Sequence, residues 1–291
     1  MLFRHKTVGE WLKTWLETRS GMLRPRTVQQ YETLIRLHAA PIGALRLDKV
    51  KPAEIEKLLG SICAEGHERT AEQLYILLKS AFSAALRLGE IKNNPMSCVM
   101  RPRHHTEPHK VWSREQQRTM IAAAEGTPYE LALLLGLACG LRRGEICGLR
   151  WSDVDLTEQV LHIRNQRQRI GGKLVDHPPK SNAGSRDVPF PAALRPLLAR
   201  NAQIGGYVCP LSPEGLRKGL YGLCSRAGVP WIGIHGLRHT MATNCIDAGV
   251  NLRIVQGLLG HASFSLTASV YTHPNGQMMG KGVACAWECV V

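Results

Sequence analysis

The sequence predicts a mainly α-helical protein of the α+β kind, with an N-terminal four-helix bundle and a mixed α/β domain that holds a small antiparallel sheet. Three observations carry this. Apolar residues recur at helical spacing through most of the chain. Strand-like segments are confined to 160–190, around the hairpin signal Gly171-Gly172. The length of 291 residues exceeds what a single ordinary domain needs, so two domains are expected.

Thr7 with Glu10 forms a capping-box pattern, and Val8, Trp11, Leu12, Trp15 and Leu16 then fall on one helical face. Thr27 with Gln30 repeats the signal before Val28, Tyr31 and Ile35. Pro52 suits the first turn of a third helix, with Ile55, Leu58, Leu59 and Ile62 as its apolar face. A fourth helix carries Leu74, Leu77, Leu78, Ala81, Phe82, Ala85 and Leu86, and Gly89 can end it. These helices define a first domain over 1–100.

Residues 101–111, with two prolines and no apolar period, read as an extended interdomain linker, and the second domain spans 112–291. Within it, Ser113 with Gln116 opens a helix. A long apolar helix follows over 129–139, Gly140 breaks it, and a short helix starts near Arg143. Residues 160–170 and 173–176 read as paired strands, and 185–190 as a third strand stopped by Pro191. Helices are expected around 192–200, 213–227, 236–248 and 251–259.

Lys and Arg total 37 against 23 Asp and Glu, a net charge of +14 and a pI near 9.6. Residues 1–110 carry 18 basic and 11 acidic side chains and residues 111–291 carry 19 and 12, a net of +7 in each. The excess is therefore no detachable basic tail, and it suits a protein that grips a polyphosphate. The plainer reading is a basic surface kept for solubility. No apolar run approaches a membrane span, and the first residues lack a signal-peptide core, so a cytoplasmic, nucleoid-associated protein is expected. The nine cysteines are odd in number and lack paired C-x-x-C sets, which points to free thiols and no zinc site. Cys139, Cys147 and Cys245 read as small buried hydrophobes.

Several polar residues sit where pattern alone would not put them. Arg142 lies at the helix break in Cys139-Gly140-Leu141-Arg142-Arg143-Gly144-Glu145, where a glycine lets the backbone aim a side chain into a cleft. Glu145 can brace Arg142 by a charge-assisted hydrogen bond, although a surface ion pair has the same spacing. In His235-Gly236-Leu237-Arg238-His239-Thr240, His235 and Arg238 share one helical face. Leu258-Leu259-Gly260-His261 places His261 after a helix-ending glycine, and Val270-Tyr271-Thr272-His273 follows. Lys180 sits in a turn-rich stretch between strands, read as a hairpin tip able to dip into a DNA groove. Taken singly, each is also an ordinary packed or surface residue.

Together these residues, in this order, resemble the tyrosine recombinases: phage integrases, conjugative-transposon integrases and Xer chromosome-dimer resolvases. The match spans 113–273, and the N-terminal helices resemble the family's SAM-like core-binding domain. The resemblance implies a site-specific recombinase that cleaves and rejoins DNA through a 3′-phosphotyrosine and a Holliday junction, in service of a phage or integrative mobile element. It implies that Arg142 and Arg238 bind the non-bridging oxygens of the scissile phosphate, and that Lys180 protonates the departing 5′ oxygen. His235 would accept the tyrosine proton or bond the phosphate, His261 would assist from the other side, Glu145 would support Arg142 and His235, and Tyr271 would be the nucleophile. It implies no cofactor and no metal. Its partners would be double-stranded DNA attachment sites, held between the two domains as in a clamp, three further copies forming a homo-tetramer on two sites, and accessory DNA-bending or directionality factors. An N-terminal arm-binding domain carried by many phage-type relatives is not expected, since the bundle starts by Thr7.

The physics of the reaction agrees. Phosphoryl transfer builds negative charge that preorganised cations stabilise, and a phenol with an ordinary pKa of about 10 needs a base or nearby positive charge to attack at neutral pH. No Walker-type loop and no carboxylate cluster for two Mg²⁺ ions is apparent in the sequence. The rival readings are Xer-like dimer resolution, a type IB topoisomerase-like activity, and a DNA-binding regulator without catalysis.

Overall fold

A computed structural model describes residues 6–104, 110–179 and 184–260, and there the capping signals of the sequence become helix starts. Thr7 caps α1 (Val8–Arg19): its Oγ1 accepts from the Glu10 N–H at 3.2 Å while Glu10 Oε2 accepts from the Thr7 N–H at 2.9 Å. Helix α2 (Pro25–Leu37) has Arg24 as its N-cap and so starts three residues earlier than the Thr27 signal suggests. Pro25 fixes φ and has no N–H to satisfy, so the first turn forms on it and Thr27 lies inside the helix. A four-residue helix, α3 (Ala40–Gly43), was not expected. Helix α4 (Pro52–Ala64) carries proline in its first turn, and α5 (Glu68–Arg87) is followed by Gly89 at φ +74°. Their apolar faces meet in one core that includes Trp11, Leu12, Ile55, Leu58, Leu74 and Phe82.

The chain divides into two compact units, Met1–Glu107 and Pro108–Val291. The start of the stretch read as an extended interdomain linker is held to its own unit: Arg101 bonds Glu72 Oε1 at 2.7 Å and His104 Nδ1 lies 2.8 Å from Glu72 Oε2.

In the second unit, Ser113 caps α6 (Arg114–Ala124) by the expected capping box. The Trp112 N–H donates to Thr240 Oγ1 and its indole N–H to the Pro230 carbonyl, so this segment is tied to the helix that carries Arg238. Helix α7 (Glu130–Cys139) ends on Gly140 in the left-handed region, and α8 (Arg143–Gly148) follows. Helices α9 (Arg195–Asn201), α10 (Pro213–Ala227), α11 (Gly233–Asp247) and α12 (Leu252–Leu259) follow. Among the described residues none of the helices is long and apolar enough to cross a membrane.

Among the described residues the strands form two small antiparallel sheets rather than one. β1 (Val154–Asp155), β2 (Val160–Ile163) and β5 (Arg186–Pro189) make the first in the order β1-β2-β5, and β3 (Gln166–Ile170) with β4 (Lys173–His177) makes the second. The single strand expected over 160–170 is thus broken at Arg164-Asn165, and its halves belong to different sheets. The Gly171-Gly172 turn, at φ +55° and +80°, closes the β3–β4 hairpin as read. β4 and β5 are not paired with each other, and Lys180, read as a hairpin tip between strands, lies outside the described residues.

Two features seat the β3–β4 hairpin. A Cβ on Gly148 would stand 2.9 Å from both Arg167 N and Gln166 Cα, so glycine is needed for α8 to approach β3 this closely. Asp176 on β4 accepts from Arg167 Nε at 2.8 Å, Arg150 Nη2 at 3.0 Å and the Tyr207 hydroxyl at 2.6 Å, with the Arg167 guanidinium 3.5 Å over the Tyr207 ring. Cys139 and Cys147 are buried as expected, and burial pushes both thiols up to about 12; Cys245 is only partly buried.

Candidate active site

Arg142 caps α8. Its backbone N–H donates to Glu145 Oε2 at 2.9 Å and its Nη1 to Glu145 Oε1 at 2.7 Å, so the brace read from the spacing of these residues is present. Its Nη2 donates to the Gly260 carbonyl at 2.9 Å. This is no surface ion pair, since the Glu145 side chain is 2% exposed.

A carboxylate so deeply buried must be paired and have its remaining lone pairs satisfied, and Arg142 is the first of two cations that do so. The second is Arg186 on β5, whose Nη1 and Nη2 each reach a Glu145 oxygen at 3.0 Å. Burial is the largest single influence on Glu145 and opposes its ionisation. The Arg186 hydrogen bonds and charge, then the Arg142 charge and backbone N–H, outweigh it and hold the carboxyl at about 2.

His235 and Arg238 both lie on α11, one turn apart, as expected. The Arg238 side chain is fully buried. Its Nη1 donates to the Gly140 carbonyl at 2.8 Å and its Nη2 to the Leu259 carbonyl. The His235 ring meets the His239 ring edge-on, with centroids 4.7 Å apart. Gly136 lets α7 and α11 pack closely, because a Cβ there would come within 2.9 Å of Leu237 Cδ1.

Three guanidinium groups from three elements therefore bond three successive carbonyls at the end of α12: Arg186 to Leu258, Arg238 to Leu259 and Arg142 to Gly260. That end carries the negative pole of the helix, which favours cations. Gly260 itself adopts φ +59° as the helix cap, and the chain then runs on to His261.

A cleft of about 590 Å³ opens beside this cluster, bordered by Arg142, Arg143, Glu145, Arg217, His235 and Gly260, among others. Arg142, Glu145 and His235 are brought together on it, and Arg238 lies behind it, bonded to the carbonyl next to the one Arg142 holds. Lys180, His261 and Tyr271 lie outside the described residues. Reading the sequence missed Arg143 and Arg217 on the cleft, and above all Arg186. The last had a signal: in 185–190, Arg186 is in phase with the apolar Val188 and Phe190, so it had to face inward.

Comparison with known proteins follows the same lines. Residues 110–278 match the model of the phage integrase family, and residues 7–61 match the N-terminal SAM-like domain of phage integrases. A XerC-like tyrosine recombinase of Caldanaerobacter subterraneus subsp. tengcongensis is 28% identical, over 93% of this chain and 80% of its own. The transposase of transposon Tn916 from Enterococcus faecalis is 27% identical, over 80% of this chain and 65% of its own. Among solved structures, the Tn1549 transposon integrase in complex with transposon right end DNA superposes with a TM-score of 0.83 at 21% identity, covering 96% of this chain and 99% of that one. A lambda integrase tetramer bound to a Holliday junction gives 0.73 at 19% identity, covering 92% and 78%. The family match covers more than half of the chain and includes the arginine–glutamate cluster, α11 and α12, and on that ground the chain belongs to the phage integrase family and is a site-specific recombinase of the tyrosine type.

Proposed function

We propose that this recombinase integrates or excises a mobile element by cutting each DNA strand through a bond to Tyr271. The observation that carries the reading is the convergence of Arg142 and Arg238 on neighbouring carbonyls at one end of α12, beside a cleft that also holds His235. Two fixed guanidinium groups, Arg142 on the cleft and Arg238 just behind it, suit the two non-bridging oxygens of a phosphodiester.

In the first step the Tyr271 phenol oxygen attacks the phosphorus while His235 takes its proton. The bond to the 5′ oxygen breaks, that oxygen takes a proton from Lys180, and the phosphate remains on Tyr271 as a 3′-phosphotyrosine. The 5′ hydroxyl of the partner strand reverses these transfers, so the bond energy is kept and no nucleotide triphosphate is needed. Arg142, Arg238 and His261 stabilise the charge that develops on the phosphate. Glu145 keeps Arg142 in place.

We read residues 1–100 as a core DNA-binding domain, 101–111 as the linker and 112–291 as the catalytic domain. The +7 carried by each half gives a salt-sensitive, phosphate-directed grip. The partners are double-stranded DNA attachment sites, further copies of the chain in a tetramer, and accessory DNA-bending or directionality factors. Work of this kind takes place on the nucleoid in the cytoplasm. The likeness to a lambda integrase tetramer on a Holliday junction supports the assembly, and the names of the transposon and phage relatives support the mobile element.

The test is a nicked suicide duplex taken from the DNA that flanks the coding region. Wild type leaves a denaturant-resistant protein–DNA adduct. Tyr271→Phe leaves none while it binds the duplex as tightly. An adduct that persists in Tyr271→Phe refutes the nucleophile, and relaxation of plasmid without a paired site points to a topoisomerase instead.

A further inference from the structure

Arg186 makes four polar contacts, all with the protein's own chain: both oxygens of Glu145 at 3.0 Å, the Leu258 carbonyl at 2.7 Å and the Gly184 carbonyl at 3.1 Å. Its side chain is 7% exposed. A guanidinium has five N–H donors, so at least four are committed to internal acceptors and the group is no phosphate ligand.

Each acceptor stands at the root of a different part of the reaction. Glu145 holds Arg142. Leu258 lies three residues before His261, and Gly184 four residues after Lys180. These four contacts are spread over Nε, Nη1 and Nη2 of a planar fork, and an ammonium, with three donors on one nitrogen, does not reproduce them, so lysine is no equivalent here. Stability alone is a weak reason to keep such a group, because a buried ion pair often contributes no more than apolar side chains of the same volume.

We infer that Arg186 is a positioning residue for strand cleavage, which locks the end of α12 and the Glu145–Arg142 pair into one fixed geometry. The inference rests on the recombinase reading above. It adds a residue that acts through others, without touching DNA.

The full-length Arg186→Gln and Arg186→Lys proteins test it, with three measurements on each. The first is the single-turnover rate of adduct formation on the nicked duplex. For Arg186→Gln it falls about 100-fold, the scale of an ångström-sized misplacement, while duplex affinity in a gel shift stays within about threefold. Arg186→Lys keeps the charge and loses the fork, and it recovers less than about a tenth of the rate. The second is the pH profile. Without Arg186, Glu145 regains protons nearer neutrality, so Arg186→Gln loses further rate as pH falls from neutral into the acid range, relative to wild type. The third is amide hydrogen exchange over 252–260 in the DNA-free protein, which quickens about tenfold in both variants.

Adduct formation at the wild-type rate with unchanged exchange overturns the inference. So does a loss of duplex affinity as large as the loss of rate, which would mean general damage. If Arg186→Gln does not fold, Arg186→Lys carries the same three measurements. Absence of an adduct with wild type itself counts against the recombinase reading, and quickened exchange in the variants would then still support the anchoring of α12.

Discussion

The two units of the molecule are built on different interiors. Among the described residues of the first, no polar or charged residue is buried whole, and the buried polar atoms include the Trp11 indole N–H, which donates to the Ala81 carbonyl, the Trp15 indole N–H and Arg19 Nε. The second buries Glu145, Gln166, Arg238, His239 and Thr240 amid its aliphatic core. Burying ions is costly, and in this unit the cost is offset by mutual pairing and by the carbonyls at the end of α12. The difference teaches where fixed charge is kept: the first unit leaves its ion pairs at or near the surface, and the second fixes a cluster of them in its interior, beside the cleft.

The sharpest way to break that contrast is to remove the carboxylate. Glu145→Ala leaves Arg142 and Arg186 without their shared partner, and the second unit should lose about 3–5 kcal/mol, seen as a fall in Tm of roughly 10 °C. The sign of the pH dependence follows from the same pairing. A carboxyl lowered to about 2 in the folded state, from 4.5, contributes stability above pH 4.5 that is lost as pH falls toward 2. That contribution is of order 3 kcal/mol, and Glu145→Gln should lack it in an acid-unfolding series. The first unit offers a shallower analogue in Glu72, lowered chiefly by its hydrogen bond to Arg101; it lies at the surface, where water and salt weaken the pair. An acid transition unchanged by Glu145→Gln would mean that the buried cluster is not what acid titrates.

The same contrast governs what could be read from sequence. The helices of the first unit were legible because an interior without whole buried polar residues prints its period on the chain, as in α1 and α5. Thr27 misled because a capping pattern just downstream of Pro25 looks the same in sequence, and α3 is too short to show a period. In the second unit Arg142, Glu145, His235 and Arg238 were legible as motifs, through glycine breaks and i,i+3 spacing. Arg186 was not, although its phase on β5 gave it away: an inward-facing arginine breaks the rule that strands bury apolar residues. The division of 160–170 between two sheets was hidden because strand propensity says nothing about pairing partners. The roles of Lys180, His261 and Tyr271 still rest on sequence.

A glycine in each unit sharpens the comparison at intermediate scale. On Gly148, a Cβ would meet the backbone of β3 at 2.9 Å, and backbone cannot swing aside. Gly148→Ala should therefore cost about 1–3 kcal/mol in denaturant unfolding of the second unit and push the β3–β4 hairpin away from α8. On Gly9, a Cβ would meet the Gly43 carbonyl at 3.2 Å, which asks for only a small shift. Alanine is also well tolerated in the first turn of α1, where Gly9 is the second residue, so Gly9→Ala should fall within about 1 kcal/mol of wild type. Equal losses at the two sites would show that tight approach matters no more at Gly148 than at Gly9.

The smallest effect belongs to the first unit's own polar device. Thr7 Oγ1 and Glu10 satisfy two helix-end N–H groups reciprocally, at the surface, with water as the competitor. Thr7→Ala should cost about 1 kcal/mol, because a lost cap leaves an N–H that water can still reach. The loss should be independent of pH near neutrality, and adduct formation by the folded protein should stay at the wild-type rate. A cost of about 3 kcal/mol or more at Thr7, as large as that of removing Glu145, would erase the distinction between a unit that leaves its ion pairs at or near the surface and one that fixes them in its interior.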